Sequence, residues 1–278
     1  MRKPEVNLRT FARRLVIAFG VVSVVFLGVL AVFQKNFIYY PSRASEASLL
    51  GLATQRGLMP WRAPEGHLIG WKTPLPNGNK PARRLLVFHG NGGQAVDRAY
   101  IAASLPADWE VFCLEYPGYG ARAGSPSELA IREAALQGCD LLRESSPLPL
   151  FLAGESLGTG VASWVAAQRP DSLAGVVLIT PMTSLVDVAA YHCPFLPVHL
   201  MMTERYDSVT ALRRYQGPVA FVLAGRDEII PVDLGRRLYQ GYSGPKRIWE
   251  QRDASHNTLD FAPQHWAPVF QFVLDHAH

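Results

Sequence analysis

From Leu15 to Phe33 the chain runs LVIAFGVVSVVFLGVLAVF, without a charge, and no comparable stretch recurs further on. At about 1.5 Å per residue this run spans ~28 Å as a helix, close to the hydrocarbon thickness of a bilayer. A cleaved signal peptide has a shorter apolar region, about 7–15 residues, followed by a small-x-small site. Here Phe33 spoils such a site, and no cysteine follows closely enough to carry a lipid. A retained transmembrane anchor is therefore the preferred reading over a removable signal or a buried core helix.

Beyond the run the pattern changes. Residues 34–81 are rich in Pro, Gly and aromatics and predict a tether with one or two antiparallel edge strands, His67–Thr73 being the best candidate. Continuous apolar runs then alternate with amphipathic stretches. Strands are predicted at Leu85–His89, Trp109–Glu115, Leu150–Ala153, Leu173–Thr180, Val219–Ala224 and Lys246–Glu250. Helices are predicted at Ala95–Ser104, Pro126–Glu144, Leu157–Gln168, Val232–Gln240 and Pro263–His276. That alternation is the signature of an α/β fold, a mostly parallel, doubly wound sheet covered on both faces. It breaks once, over Pro181–Gly217, a stretch long enough to carry a cap-like insertion above the carboxyl ends of the strands. The expected organisation is a basic N-terminus (1–14), an anchor (15–33), a tether with edge strands (34–81) and an α/β core (82–278) with its insertion at 181–217.

Composition narrows this. Of 278 residues, 49% are hydrophobic and 18% charged. Without the anchor about 240 residues remain, enough for one large domain with a sizeable core. Arg2, Lys3, Arg9, Arg13 and Arg14 precede the run against a single Glu5, and only Lys35 follows closely. The positive-inside rule then places the N-terminus in the cytoplasm and the α/β domain outside, in the periplasm if the source is Gram-negative. The same residues account for the formal charge of +4: removing five of 27 basic and one of 23 acidic residues leaves 22 of each. A neutral globular part offers no basic stripe for phosphates, which excludes nucleic acid as a partner. Cys113, Cys139 and Cys193 have neither metal-ligand spacing nor the even count of a disulfide framework. His192 and His199 lack a carboxylate pattern that would make a metal site.

The chemistry lies in Gly154-Glu155-Ser156-Leu157-Gly158, a G-x-S-x-G match that follows the strand PLFLA and opens the helix LGTGVASWVAAQ. This is the strand–turn–helix setting of a nucleophile elbow, in which tight turning exposes the serine hydroxyl at a helix N-terminus. A hydroxyl is a poor nucleophile until a base takes its proton. In α/β-hydrolases the chain order is Ser, acid, His, and here Asp227 follows the strand VAFVLAG while His256 follows KRIWE. Glu228 and, more weakly, Asp253 are rivals for the acid. Leu85–His89 runs into Gly90-Asn91-Gly92-Gly93, where the N–H of Asn91, favoured over Gly90 or Gly92, would pair with that of Leu157 as an oxyanion hole. His89, upstream of the serine, is expected to brace this loop.

FHGNGG at 88–93, EYPGYGARAGSPSE at 115–128, GESLGTG at 154–160, AGRDEIIP at 224–231 and SHN at 255–257 resemble the membrane-anchored α/β-hydrolase domain-containing proteins, as does Phe37-Ile38-Tyr39-Tyr40-Pro41 after the anchor. The likeness covers almost the whole chain, departing at Ser255, where relatives more often have Gly. That group includes depalmitoylating eukaryotic members and many bacterial relatives. The resemblance implies an α/β-hydrolase fold, hydrolysis of esters or thioesters by Ser156, Asp227 and His256, and no cofactor. It names no substrate. A peptidase of the same fold and a non-catalytic membrane-anchored scaffold are the rival readings. The chain has no room for a propeller domain, and an intact set of three argues against a scaffold. Tyr191, Phe195, Leu196, Leu200, Met201 and Met202 give the insertion apolar surface for packing onto the domain, for an acyl groove or for membrane contact.

Overall fold

A computed structural model describes residues 8–74 and 80–277. Arg2, Lys3 and Glu5, which carry part of the orientation argument, lie outside the described residues. The first element is helix α1 (Leu8–Ile38). Its apolar, membrane-length part covers Ala12–Ile38, 27 residues, and its most apolar 18-residue window is not buried against the protein, whereas Gln34 near its end is. It outruns the apolar run at both ends, so the residues expected to open the tether are helical. Gln34, Lys35 and Asn36 are polar but do not break a helix, and the stop comes where Pro41 biases the residue before it to extended backbone.

The elements that follow are β1 (Tyr40–Pro41), α2 (Glu46–Gln55), β2 (Met59–Arg62), β3 (Leu68–Lys72), β4 (Arg83–Phe88) and β5 (Gly92–Gly93). A 3-10 turn at Ala95–Arg98 leads into α3 (Ala99–Ala103), so the helix expected at 95–104 starts with a tighter turn. Next come β6 (Trp109–Leu114), α4 (Glu128–Ser145), β7 (Leu150–Glu155), α5 (Leu157–Gln168) and β8 (Gly175–Ile179). The insertion holds α6 (Leu185–His192), α7 (Val198–Met201) and α8 (Ser208–Leu212); β9 (Val219–Ala224), α9 (Val232–Gly241), β10 (Lys246–Gln251) and α10 (Pro263–Asp275) complete the chain. Helix α2 is a second departure from the expected tether. Ser45 caps it by accepting from the Ser48 N–H at 3.2 Å, Glu46 stands in its positive first turn, and Leu49 and Ala53, four apart, bury its inner face.

The main sheet has the order β10-β9-β8-β7-β4-β6-β3-β2. β3 runs antiparallel to both neighbours, and every other pairing is parallel. Alternate residues of each strand feed two cores. Leu86, Phe88, Leu152 and Phe221 pack under α4, α5 and α9, whereas Leu85, Val87, Ala153 and Val222 pack under α2, α3 and α10. Burial on both faces is why the parallel strands read as unbroken apolar runs. This is the α/β-hydrolase architecture.

The end of α1 is fastened to the insertion and to the strand ends. Thr203 N–H donates to Gln34 Oε1 at 2.8 Å, Lys35 lies 3.7 Å from Glu204, and the Tyr39 hydroxyl donates to Glu204 while sitting 2.8 Å from the Tyr206 hydroxyl. Burial, with these acidic neighbours, pushes the Tyr39 phenol well above its ordinary range. One residue on, β1 pairs in parallel with β5, Tyr40 opposite Gly92.

Candidate active site

Strand β7 ends at Glu155 and α5 begins at Leu157, which leaves one residue to reverse the chain. Ser156 does so with φ 54° and ψ −119°, a left-handed conformation that costs a non-glycine residue of order 1–3 kcal/mol and persists only where its surroundings enforce it. Here Ser156 N–H donates to Ile179 O at 2.9 Å, and its carbonyl accepts from the N–H and hydroxyl of Thr159 at 2.9 and 2.6 Å. A Cβ on Gly158 would overlap the Phe88 carbonyl, and one on Gly154 would overlap the Gly158 carbonyl. Both motif glycines are therefore required by the closeness of α5 to β4 and β7.

Asp227 follows β9, and His256 follows β10, each in the loop at the carboxyl end of its strand. Parallel order brings these loops to the edge of the sheet where Ser156 emerges. His256 Nε2 stands 3.0 Å from Ser156 Oγ, and its Nδ1 stands 2.8 and 2.9 Å from the two Asp227 oxygens. A carboxylate only accepts, so Nδ1 donates to Asp227, and in the neutral ring this leaves Nε2 as the acceptor facing the hydroxyl. Asp227 Oδ1 also accepts from the N–H groups of Ile229 and Ile230 at 2.9 and 2.7 Å, which fixes the carboxylate. His256 is 9% exposed. Glu228 touches only the His256 main-chain N–H, at 3.3 Å, and Asp253 pairs at the surface with Arg226 at 2.6 Å. Neither rival carboxylate meets the imidazole ring.

The glycine-rich loop after β4 closes the other side. A Cβ on Gly90 would lie 3.3 Å from the Ser156 Cβ, so this loop is in contact with the serine. Among the described residues the main-chain N–H groups of Asn91 and Leu157 have no acceptor, while the Asn91 side chain is engaged elsewhere. Its amide donates to the Ile38 carbonyl, and its oxygen accepts from the Tyr119 hydroxyl at 2.9 Å and the Tyr40 N–H at 3.3 Å. His89 is wholly buried, with Nδ1 2.7 Å from Gly90 O, Nε2 3.4 Å from Glu115 and its ring against Tyr116 at 3.9 Å. These contacts brace the loop.

Ser156 and His256 open onto a cavity of about 720 Å³ whose wall includes Tyr40, Gly90, Asn91, Ile229, Leu259 and Phe261. Three further wall residues escape sequence reasoning: Arg98 and Tyr100 both reach Glu155, the variable position of the motif, at 2.6 and 2.8 Å. Burial and this carboxylate push the Tyr100 phenol above its ordinary range. The available signal was a charged residue inside an otherwise apolar turn. Elsewhere, His192 Nε2 contacts Ile229 O at 2.8 Å, and among the described residues no three His, Cys, Asp or Glu side chains group as metal ligands. Cys113 and Cys139 are buried, their thiols each pushed up to about 12 by burial, while Cys193 is exposed.

Comparison with known proteins finds α/β-hydrolase relatives. The family described as "Serine aminopeptidase, S33" matches residues 79–203. An uncharacterized protein of Mycobacterium tuberculosis is 34% identical over 238 residues, covering 81% of this chain and 80% of its own. The lysophosphatidylserine lipase ABHD12 of Xenopus tropicalis is 28% identical over 210 residues, 64% of this chain and 51% of the relative. Among solved structures, the monoacylglycerol lipase of Paleococcus ferrophilus superposes with a TM-score of 0.54 at 22% identity, covering 70% of this chain and 96% of the lipase.

Proposed function

This chain belongs to the α/β-hydrolase domain-containing family, and from that premise we propose that it is a serine hydrolase cleaving esters or thioesters of lipophilic acyl groups through an acyl-enzyme. The observation that carries the reading is the hydrogen-bonded line from Asp227 through His256 to Ser156 at the floor of a largely apolar cavity. His256 Nε2 takes the proton of Ser156 as Oγ attacks the acyl carbonyl carbon. Asp227 holds the imidazole in the correct tautomer and stabilises the imidazolium that forms. The N–H groups of Asn91 and Leu157, at the N-terminal end of α5, receive the oxyanion. His256 then returns the proton to the departing oxygen or sulfur, leaving the acyl group on Ser156. Water, deprotonated by the same nitrogen, attacks the acyl carbon, the bond to Ser156 Oγ breaks, and His256 returns the proton to Oγ as the acid leaves. No step calls for a metal or an organic cofactor.

The lipase relative and the lipase-like fold support a lipophilic acyl substrate, and α1 has the dimensions of an anchor that would keep the site beside a bilayer. With the basic side of α1 in the cytoplasm, the domain works outside it. A peptidase reading draws on the name of the matching family and on Glu155, a carboxylate in the cavity wall that would suit a peptide amine. Glu155 is already engaged by Arg98 and Tyr100, so esters are favoured.

The test is labelling by a fluorescent fluorophosphonate in isolated membranes, wild type against Ser156→Ala, followed by matched p-nitrophenyl ester and p-nitroanilide substrates of rising chain length. The expected result is labelling lost in the variant, ester turnover exceeding anilide, and kcat/KM maintained or rising with acyl length. A folded, unlabelled wild type would favour the scaffold reading; faster anilide release would favour the peptidase.

A further inference from the structure

Surface side chains that are large, apolar and nearly fully exposed are unusual when they cluster. Phe195 is 97% exposed and Leu200 89%, on either side of the start of α7, and Tyr191 near the end of α6 is exposed as well. All three belong to the insertion. They do not sit on a remote face. The carbonyl of Met201, next to Leu200, accepts from Gln34 Nε2 at 3.4 Å, and Thr203 donates to the same side chain. Gln34 directly follows the apolar run that ends at Phe33. The insertion is therefore bolted to α1 at the level where its uncharged stretch gives way to polar residues.

The same face reaches the cavity. His192, at the end of α6, holds the Ile229 carbonyl, and Ile229 lines the cavity. Tyr40, exposed and two residues past the end of α1, lines the same cavity. The insertion that carries the exposed apolar residues is thus tied at one end to the helix and at the other to a residue of the cavity wall.

We infer that the exposed surface of the insertion rests in the interfacial layer of the bilayer that α1 spans, with Phe195 and Leu200 inserted among the lipids and the cavity mouth between Tyr40 and Ile229 opening at the membrane. The partner is a lipid surface, selected by continuity. The short connection from Ile38 to β1, the Gln34 contacts and the Lys35–Glu204 pair leave the insertion beside the membrane helix at headgroup level. Aromatic and aliphatic side chains at that depth exchange water for acyl chain without stranding a polar group. The inference rests on α1 spanning a membrane and is independent of the proposed chemistry.

The test uses the full chain in phosphatidylcholine nanodiscs. In a Cys193→Ser background Cys113 and Cys139 are buried and do not label. The environment-sensitive dye NBD is attached after Phe195→Cys or Leu200→Cys, with Val24→Cys inside the apolar run and Met59→Cys on the distant edge strand β2 as references. The expected result is blue-shifted emission at 195 and 200, quenched by nitroxide lipids labelled near the headgroup. Position 24 is quenched by deeply labelled lipid, and position 59 stays aqueous. Aqueous behaviour at 195 and 200 with position 24 quenched overturns the contact and leaves the anchor standing. An unquenched position 24 removes the anchor and the contact together. A blue shift without lipid quenching places protein, such as a second copy, on this surface and overturns the inference. None of these outcomes depends on whether Ser156 reacts with a fluorophosphonate.

Discussion

Asn91 donates its side-chain amide to the main-chain carbonyl of Ile38, the last residue of α1. The loop bearing one of the two proposed oxyanion donors is thereby tied to the end of the apolar helix, with Tyr119 and the Tyr40 N–H completing the amide's contacts. Asn91→Ala keeps the main-chain N–H and removes the tie. A donor displaced by about 1 Å costs on the order of 10²-fold in rate. Kinetics on a short p-nitrophenyl ester should show kcat lowered by that order with KM little changed. A loss under about threefold would mean that the loop holds its position without the helix.

Ser156→Ala and His256→Ala should each lower kcat by about 10⁴-fold or more, and Asp227→Asn by about 10⁴-fold through the wrong imidazole tautomer. Glu228→Gln is the control, because that carboxylate meets only the His256 main chain; its kcat should stay within about threefold. Equal losses in Asp227→Asn and Glu228→Gln would dissolve the assignment of Asp227.

Gly158→Ala forces a methyl into the Phe88 carbonyl and must part α5 from β4. Overpacking of this kind costs about 1–3 kcal/mol, and thermal unfolding should fall by several degrees. Gly241→Ala, at the end of α9 with nothing within 4 Å of the added carbon, should be neutral or slightly stabilising.

Arg169 joins the end of α5 to α4 by a two-pronged contact with Asp140 at 2.8 and 2.7 Å. Hydrogen bonding to Arg169 holds the Asp140 carboxyl below the usual carboxylate range. A lowered folded-state pKa gives stability that is present above the unfolded value and lost as pH falls through the folded one. With both side chains partly exposed, the contribution is about 1 kcal/mol. Denaturant unfolding of wild type and Arg169→Ala should differ by that amount near pH 7, and the curves should converge as pH falls below the carboxylate range.

The parallel core is legible in the sequence because strands buried on both faces must be continuously apolar, and helices over a sheet must be amphipathic. The meeting of Ser156, Asp227 and His256 is legible for a related reason: each follows a strand, and parallel strands end on one side. Helix α2 is not. Its inner face rests on Leu49 and Ala53, too short a stripe to stand out among the Pro and Gly around it. The Arg98–Glu155–Tyr100 group is hidden because charge pairs across 55 and 57 positions leave no periodicity behind. The extent of α1 is missed because hydropathy marks where a segment is apolar, whereas a helix stops where backbone geometry stops it.

The strand order also spreads the parts of the site along the chain. β7 pairs with β4 near the centre, and β8, β9 and β10 lie one beyond another toward a single edge. His256 lies in the loop after β10, the outermost of these strands and the last in the chain. The turn that shapes Ser156 is made by β7 and α5 alone, whereas Asp227 and His256 come from loops 71 and 100 positions further along the chain. A chain cut short of β10 would keep the Ser156 hydroxyl on its β7–α5 turn without the imidazole beside it, so under the proposed mechanism it would be inert toward acyl groups.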